Sequence, residues 1–122
     1  MYKFSQRSKD NLATADEKLQ LLFNEVIKDF DCTVIEGHRS LERQKELFDK
    51  GASQIDGISK KGKHNYFPSR AVDVAPYPLD WNDIESFKLL ASVVKRKALD
   101  LGINVQWGGD WVSFKDYPHW QL

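Results

Sequence analysis

The chain holds a single cysteine, Cys32, which excludes an internal disulfide and any zinc module built on cysteine clusters. Cys32 stands just before the apolar pair Val34-Ile35 and reads as a small buried hydrophobe, not a nucleophile. Net charge is also lacking, because eighteen basic and eighteen acidic residues cancel. The one local concentration is the short Lys60-Lys61-Gly62-Lys63 run, so the basic stripe of a nucleic-acid binder is missing. No apolar run is long enough to cross a bilayer, which argues against membrane insertion. Met1-Tyr2-Lys3-Phe4-Ser5-Gln6-Arg7 is followed by no apolar core, so no signal peptide is expected and the product stays in the cytoplasm until something releases it. Repeats, low-complexity segments and linkers are absent. The expectation is one domain, 1–122, large enough to bury roughly two-thirds of its unfolded surface.

Histidine is scarce, with three in the chain, and two of them fall in segments that carry carboxylates. The first segment runs Lys63-His64-Asn65-Tyr66-Phe67-Pro68-Ser69-Arg70-Ala71-Val72-Asp73, and the second is Asp116-Tyr117-Pro118-His119. His64, Asp73 and His119 supply two imidazoles and one carboxylate, leaving a fourth tetrahedral position for water as a catalytic zinc requires. Asp116, three residues before His119, is then placed to act as a base. Val72 and Val74 flank Asp73, so strand alternation sends the carboxylate to the face opposite the valines. His64 lies nine residues earlier and needs a loop that doubles back, for which Pro68-Ser69 is suited.

The pattern of apolar residues predicts an α+β fold. A short helical stretch covers about Ser8 to Leu12. Thr14-Ala15-Asp16-Glu17 has the form of a capping box with Thr14 as N-cap, opening a helix of about 15–30 that buries Leu19, Leu22, Phe23, Val26, Ile27 and Phe30. Cys32 to Glu36 reads as a strand. Ser40 caps a further helix with Leu41, Gln44, Leu47 and Phe48 on one side and Gly51 as its stop, and 51–70 reads as a long loop. Ala71 to Ala75 is a strand. Asn82-Asp83-Ile84-Glu85 is a second capping box, before a helix that buries Phe87, Leu90, Ala91, Val94, Ala98 and Leu101 and stops at Gly102. Ile103 to Trp107 is a strand, Gly108-Gly109-Asp110 a turn, and the tail from Phe114 ends in a last strand. The result is a small, largely antiparallel sheet against about three helices, with the metal site in a cleft on the sheet.

These motifs resemble the peptidase M15 family of zinc peptidoglycan peptidases, which holds D-Ala-D-Ala carboxypeptidases and phage L-alanyl-D-glutamate endolysins. The carriers are Glu36-Gly37-His38-Arg39-Ser40 with Gln44 and Gly51, Lys63-His64-Asn65 through Asp73, Trp107-Gly108-Gly109-Asp110-Trp111, and Asp116-x-x-His119. The nine-residue step with Pro68-Ser69, in place of a seven-residue step with glycine, is similar to the phage and prophage subgroup. The resemblance implies a hedgehog or D-Ala-D-Ala-peptidase-like fold. It makes His64, Asp73 and His119 the ligands of Zn2+, Asp116 the catalytic carboxylate, and Arg39 the arginine that binds substrate or the oxyanion. Ser69 and Trp107 are expected to contact substrate.

The implied activity is cleavage of bacterial stem peptides by a monomer, on the L-Ala-D-Glu bond in preference to D-Ala-D-Ala. The implied origin is a phage or prophage lysis enzyme, held in the host bacterial cytoplasm until a separate membrane-pore protein releases it onto the wall. A non-catalytic wall-binding module that keeps the fold is the competing class, and the complete set His64, Asp73, Asp116 and His119 speaks against it. Other readings stay open residue by residue. Asp73 has Arg70 or Arg39 as a natural ion-pair partner, and Arg39 has Glu42 or Glu46. Asp116 can serve a turn before Pro118. His38 suits packing or support of the site. Trp107 and Trp111 suit the core, and Ser40 suits N-capping better than nucleophilic attack.

Overall fold

In a computed structural model of the chain, residues 2–40, 45–46, 49–50 and 63–122 are described. Helices α1 (Gln6–Ala13) and α2 (Glu17–Asp29) lead into strand β1 (Cys32–Glu36). A 3-10 turn at Lys63–Asn65 precedes β2 (Ala71–Pro76), and the long helix α3 (Ile84–Leu101) follows. Strand β3 (Gln106–Trp107), a 3-10 turn at Gly108–Asp110 and β4 (His119–Gln121) complete the order. The strands form one antiparallel sheet in the order β1-β2-β4-β3. This is the expected α+β architecture.

Helices α2 and α3 close over one face of the sheet because their apolar stripes recur at helical spacing. Leu19, Leu22, Phe23 and Val26 share one buried cluster with Leu90, Ala91 and Val94, and both sets cover Val34, Val72, Val74 and Trp120 from the strands. Burial of each such side chain stabilises by about 1.5–3 kcal/mol. Phe30 and Leu101 were expected in these stripes; Phe30 is partly buried and Leu101 is exposed at the end of α3.

The helix starts differ from those expected. The N-cap of α2 is Asp16, whose side chain accepts from the Lys18 amide, and not Thr14. Thr14 is already committed: its hydroxyl donates to the Asn11 carbonyl and accepts from the His38 amide, and its carbonyl accepts from the Ser69 amide. Asp83 caps α3 by accepting from the Ser86 amide, one residue after Asn82. Gly102, in the left-handed conformation at φ 70°, ends that helix.

The expected strand over Ile103 to Trp107 shortens to its last two residues, and the turn at Gly108-Gly109-Asp110 is a 3-10 helix. Of the expected second helix, Lys45, Glu46 and Asp49 are helical. Its positions Leu41, Gln44, Leu47 and Phe48, its stop at Gly51, and residues 51–62 of the expected loop lie outside the described residues.

The opposite face of the sheet carries the site. Asp73 on β2 pairs in register with His119 on β4 and with Glu36 on β1. The β1 register slips between Val34 and Glu36, so a bulge sets Glu36, and not Ile35, opposite Asp73. Helix α1 holds that bulge: Ser8 Oγ accepts from the Val34 amide at 3.1 Å, and Asn11 Nδ2 donates to the Val34 and Ile35 carbonyls at 2.9 and 3.0 Å.

Candidate metal centre

Three elements deliver three donor atoms to one point. Asp73 projects from the middle of β2, His119 opens β4, and His64 sits in the 3-10 turn that the 63–70 loop lays against the strand ends. His64 Nε2 lies 3.2 Å from Asp73 Oδ1 and 3.3 Å from His119 Nδ1, and His119 Nδ1 lies 3.4 Å from Asp73 Oδ1. A near-equilateral triangle results.

Its edges fit a metal. Tetrahedral zinc with ligands at about 2.0–2.1 Å separates its ligand atoms by about 3.3 Å. The far side of each imidazole fixes which nitrogen faces inward. His64 Nδ1 donates to the Gly37 carbonyl at 2.8 Å, and His119 Nε2 donates to Gln121 Oε1 at 2.8 Å. In the neutral rings the inward nitrogens therefore carry lone pairs, and they meet the Asp73 oxygen with no hydrogen among the three. Only a cation or an added proton resolves that meeting. Among the described residues these three form the group able to hold a metal ion.

The electrostatics agree. When protons take the place of a cation in the site, burial pushes the Asp73 carboxyl up, but hydrogen bonds from the protonated His119 and His64 rings, and their charge, hold it well below the usual carboxylate range. Burial lowers His119, and the bond to Asp73 with its charge more than offsets this, so His119 is raised. Asp116 behaves in the opposite way. Burial and the charge of Asp73 raise its carboxyl, against the pull of His119, His64 and Arg39. Its Oδ2 stands 4.0 Å from His119 Nδ1, beyond the triangle edges, with its side chain 33% exposed.

Asp116 is positioned by its backbone. Its amide donates to the Gly108 carbonyl at 3.0 Å, and its carbonyl accepts from the His119 amide at 3.2 Å. Gly108 must be glycine, since a Cβ there would lie 2.2 Å from the Asp116 carbonyl oxygen. The turn reading of Asp116 and its placement beside the site thus coexist.

Arg39, with an 11% exposed side chain, donates through Nε and Nη2 to both oxygens of Glu36 at 2.9 Å. The same Nη2 lies 3.4 Å from Asp73 Oδ2. Among the described residues it thus pairs with Glu36 and Asp73. Arg70 instead lies over the exposed Tyr66 ring.

Two expected substrate contacts sit elsewhere. Ser69 is fully buried, and its hydroxyl donates to the Ala71 carbonyl at 2.6 Å and lies 3.3 Å from the Gly37 carbonyl. It holds the His64 loop from below and presents nothing to a substrate. Trp107 is buried, stacked on Trp120 at 5.8 Å, and donates from Nε1 to the Tyr117 carbonyl at 2.7 Å. It is a core residue that pins the segment before His119. The aromatic beside the site is Trp111, half-buried with its ring 5.1 Å from that of His119. His38 is exposed and packs edge-on against Phe67. The supporting roles of Glu36, Gly37 and Gln121 were missed. A one-residue alternation on β4 pairs Gln121 with His119 and was the available signal; the Gly37 carbonyl leaves none in sequence.

A family model described as phage L-alanyl-D-glutamate peptidase matches residues 1–120. The chain belongs to that family. The L-alanyl-D-glutamate peptidase of Escherichia phage T5 is 31% identical over 95% of this chain and 86% of its own length. The peptidoglycan L-alanyl-D-glutamate endopeptidase CwlK of Bacillus subtilis is 32% identical over 78% of this chain and 62% of its own length. Among solved structures, the L-Ala D-Glu endopeptidase ChiX of Serratia marcescens superposes with a TM-score of 0.84 at 32% identity, over 98% of this chain and 90% of that one. The D,D-pentapeptidase VanY of a VanB-type resistance cassette, solved in complex with Zn(II), shares the fold with a TM-score of 0.57 at 17% identity, over 86% of this chain and 68% of that one.

Proposed function

We propose that this member of the phage L-alanyl-D-glutamate peptidase family is a zinc endopeptidase that cleaves the L-Ala-D-Glu bond in the stem peptides of bacterial peptidoglycan. The observation that carries the zinc reading is the triangle of His64 Nε2, Asp73 Oδ1 and His119 Nδ1, with edges of 3.2, 3.3 and 3.4 Å. The family membership carries the choice of bond over D-Ala-D-Ala. A complete ligand set with a raised carboxylate beside it favours a working enzyme over a retired wall-binding module.

His64, Asp73 and His119 hold the ion, with both rings fixed in the ligating tautomer by the Gly37 carbonyl and Gln121. Bound zinc supplies Lewis acidity and brings water ionisation close to neutral pH. Asp116 accepts the proton of the attacking water as the new C–O bond forms at the alanyl carbonyl. It then returns that proton to the glutamate nitrogen as the C–N bond breaks. Its raised carboxyl suits both directions of transfer. Arg39 offers its planar fork to the developing oxyanion or to a substrate carboxylate.

In this reading one domain, 1–122, carries the chemistry, and a single chain that supplies every ligand supports a monomer as the working unit. Among the described residues no helix is long and apolar enough to cross a membrane. A phage enzyme made in the host cytoplasm then reaches the wall through a separate membrane-pore protein. The test of the activity is mass spectrometry of muropeptides after digestion, with and without chelator. New N-terminal D-glutamate supports the reading, and release of D-alanine alone replaces it with a carboxypeptidase.

A further inference from the structure

Glu36, Asp73 and His119 form one row across three strands. Two carboxylates directly opposite each other destabilise a strand pair, yet the bulge after Val34 creates this pairing where regular register would place Ile35. Ser8 and Asn11 hold the bulge through three hydrogen bonds. The fold thus brings a second carboxylate to the metal-ligating one by dedicated contacts. Arg39 relieves the repulsion, but unequally. It makes two bonds of 2.9 Å to Glu36 and one of 3.4 Å to Asp73. The side-on fork on Glu36 fixes the guanidinium plane, and Asp73 keeps Oδ1 for the histidines.

We propose that Glu36 is a positioning residue: it anchors the Arg39 guanidinium in a fixed plane beside Asp73, oriented toward substrate and kept from collapsing onto the ligand carboxylate. Glu36 lies outside the group His64, Asp73 and His119, and its assigned role is exerted through Arg39. The inference rests on the roles given above to Arg39 and Asp73. With Glu36 neutral, the two 2.9 Å bonds that set the guanidinium plane are weakened, and the pull of Asp73 Oδ2 on Nη2 is no longer opposed from the Glu36 side.

The experiment compares wild type, Glu36→Gln, Arg39→Met and the double variant, each with zinc content measured. Glu36→Gln is expected to retain one zinc per chain and to lose at least tenfold in kcat. In the Arg39→Met background the same change is expected to have no further effect, since a residue acting through another is silent once that other is gone. A loss that adds in full to that of Arg39→Met, or unchanged turnover in Glu36→Gln, overturns the proposal. A second readout needs neither activity nor zinc. The Arg39 Nε–H resonance of the wild type, assigned by its disappearance in Arg39→Met, is expected to exchange slowly with solvent. Exchange as fast as that of exposed arginines overturns the proposal even if Glu36→Gln does not fold. A wild type that takes up no zinc removes the underlying zinc reading, and the proposal with it, whereas a zinc-loaded, active wild type with a silent Glu36→Gln removes the proposal alone.

Discussion

His64 Nε2 and His119 Nδ1 face each other at 3.3 Å while their outer nitrogens both donate hydrogen bonds, so two lone pairs converge on one point. That arrangement is unfavourable without a positive charge between the rings, and Asp73 completes a pocket for one. Zinc binding is therefore folding energy for the tail that carries His119. Adding zinc at about a hundred times its Kd should stabilise by about 2.7 kcal/mol and raise Tm by roughly 10 °C. His64→Ala should lose the metal, the activity and the zinc-dependent part of Tm together. Stoichiometric zinc in His64→Ala, measured by metal analysis, would remove His64 from the ligand set.

Gln121 controls the tautomer of His119 and is itself oriented by a 3.1 Å bond to Gln106 Oε1. Gln121→Leu frees the imidazole to protonate at either nitrogen. Zinc affinity, measured by chelator competition, should fall by about 10–100-fold, as is typical for residues that orient a ligand. Equal affinities would make Gln121 a surface residue.

Much of this site was legible in sequence, and the limit has a physical cause. Alternation around Val72-Asp73-Val74 placed the carboxylate on the open face, and helical spacing found the stripes of α2 and α3. The helix starts shifted because Thr14 and Asp16 compete to cap, and Thr14 is drawn away by the His38 amide and Ser69. Ser69 and Trp107 looked like substrate contacts because their motifs adjoin the ligands, yet adjacency along the chain says nothing of which way a side chain turns. The bulge that delivers Glu36 depends on Asn11, twenty-three residues from the nearer carbonyl it binds. No local pattern encodes that contact.

Gly108 approaches the Asp116 backbone so closely that a methyl group has nowhere to go. Gly108→Ala should displace Asp116 and cost about 1–3 kcal/mol of stability. It should keep its zinc while turnover falls at least tenfold, because a small misplacement of a base is expensive in rate. Metal content, urea denaturation and kcat on one preparation check all three. Wild-type turnover would show that Asp116 does not depend on this contact.

Cys32 is buried in the core, and that burial, helped by the charge of Asp31, pushes its thiol up to about 12. At pH 8 the folded protein should not react with a disulfide reagent, and one thiol should appear on unfolding. The raised value also has a sign in stability. The unfolded thiol ionises at about 8.5 while the folded one stays neutral, so its contribution is complete below that pH and is lost as pH rises toward 12. Cys32→Ala should therefore show a shallower loss of stability between pH 8 and 10 than wild type, by comparison of denaturation midpoints. Identical slopes would contradict the burial of Cys32.

In the proposed mechanism the C-terminal pair divides its work, with His119 as a ligand and Asp116, 4.0 Å away, as the proton carrier. Zinc content and kcat of Asp116→Asn test it most directly, because asparagine keeps the size and removes the basic carboxylate. One zinc per chain is expected, with hydrolysis reduced by roughly 10²–10⁴. An Asp116→Asn protein that loses its zinc, or one that keeps its zinc and still cleaves at the wild-type rate, would contradict it.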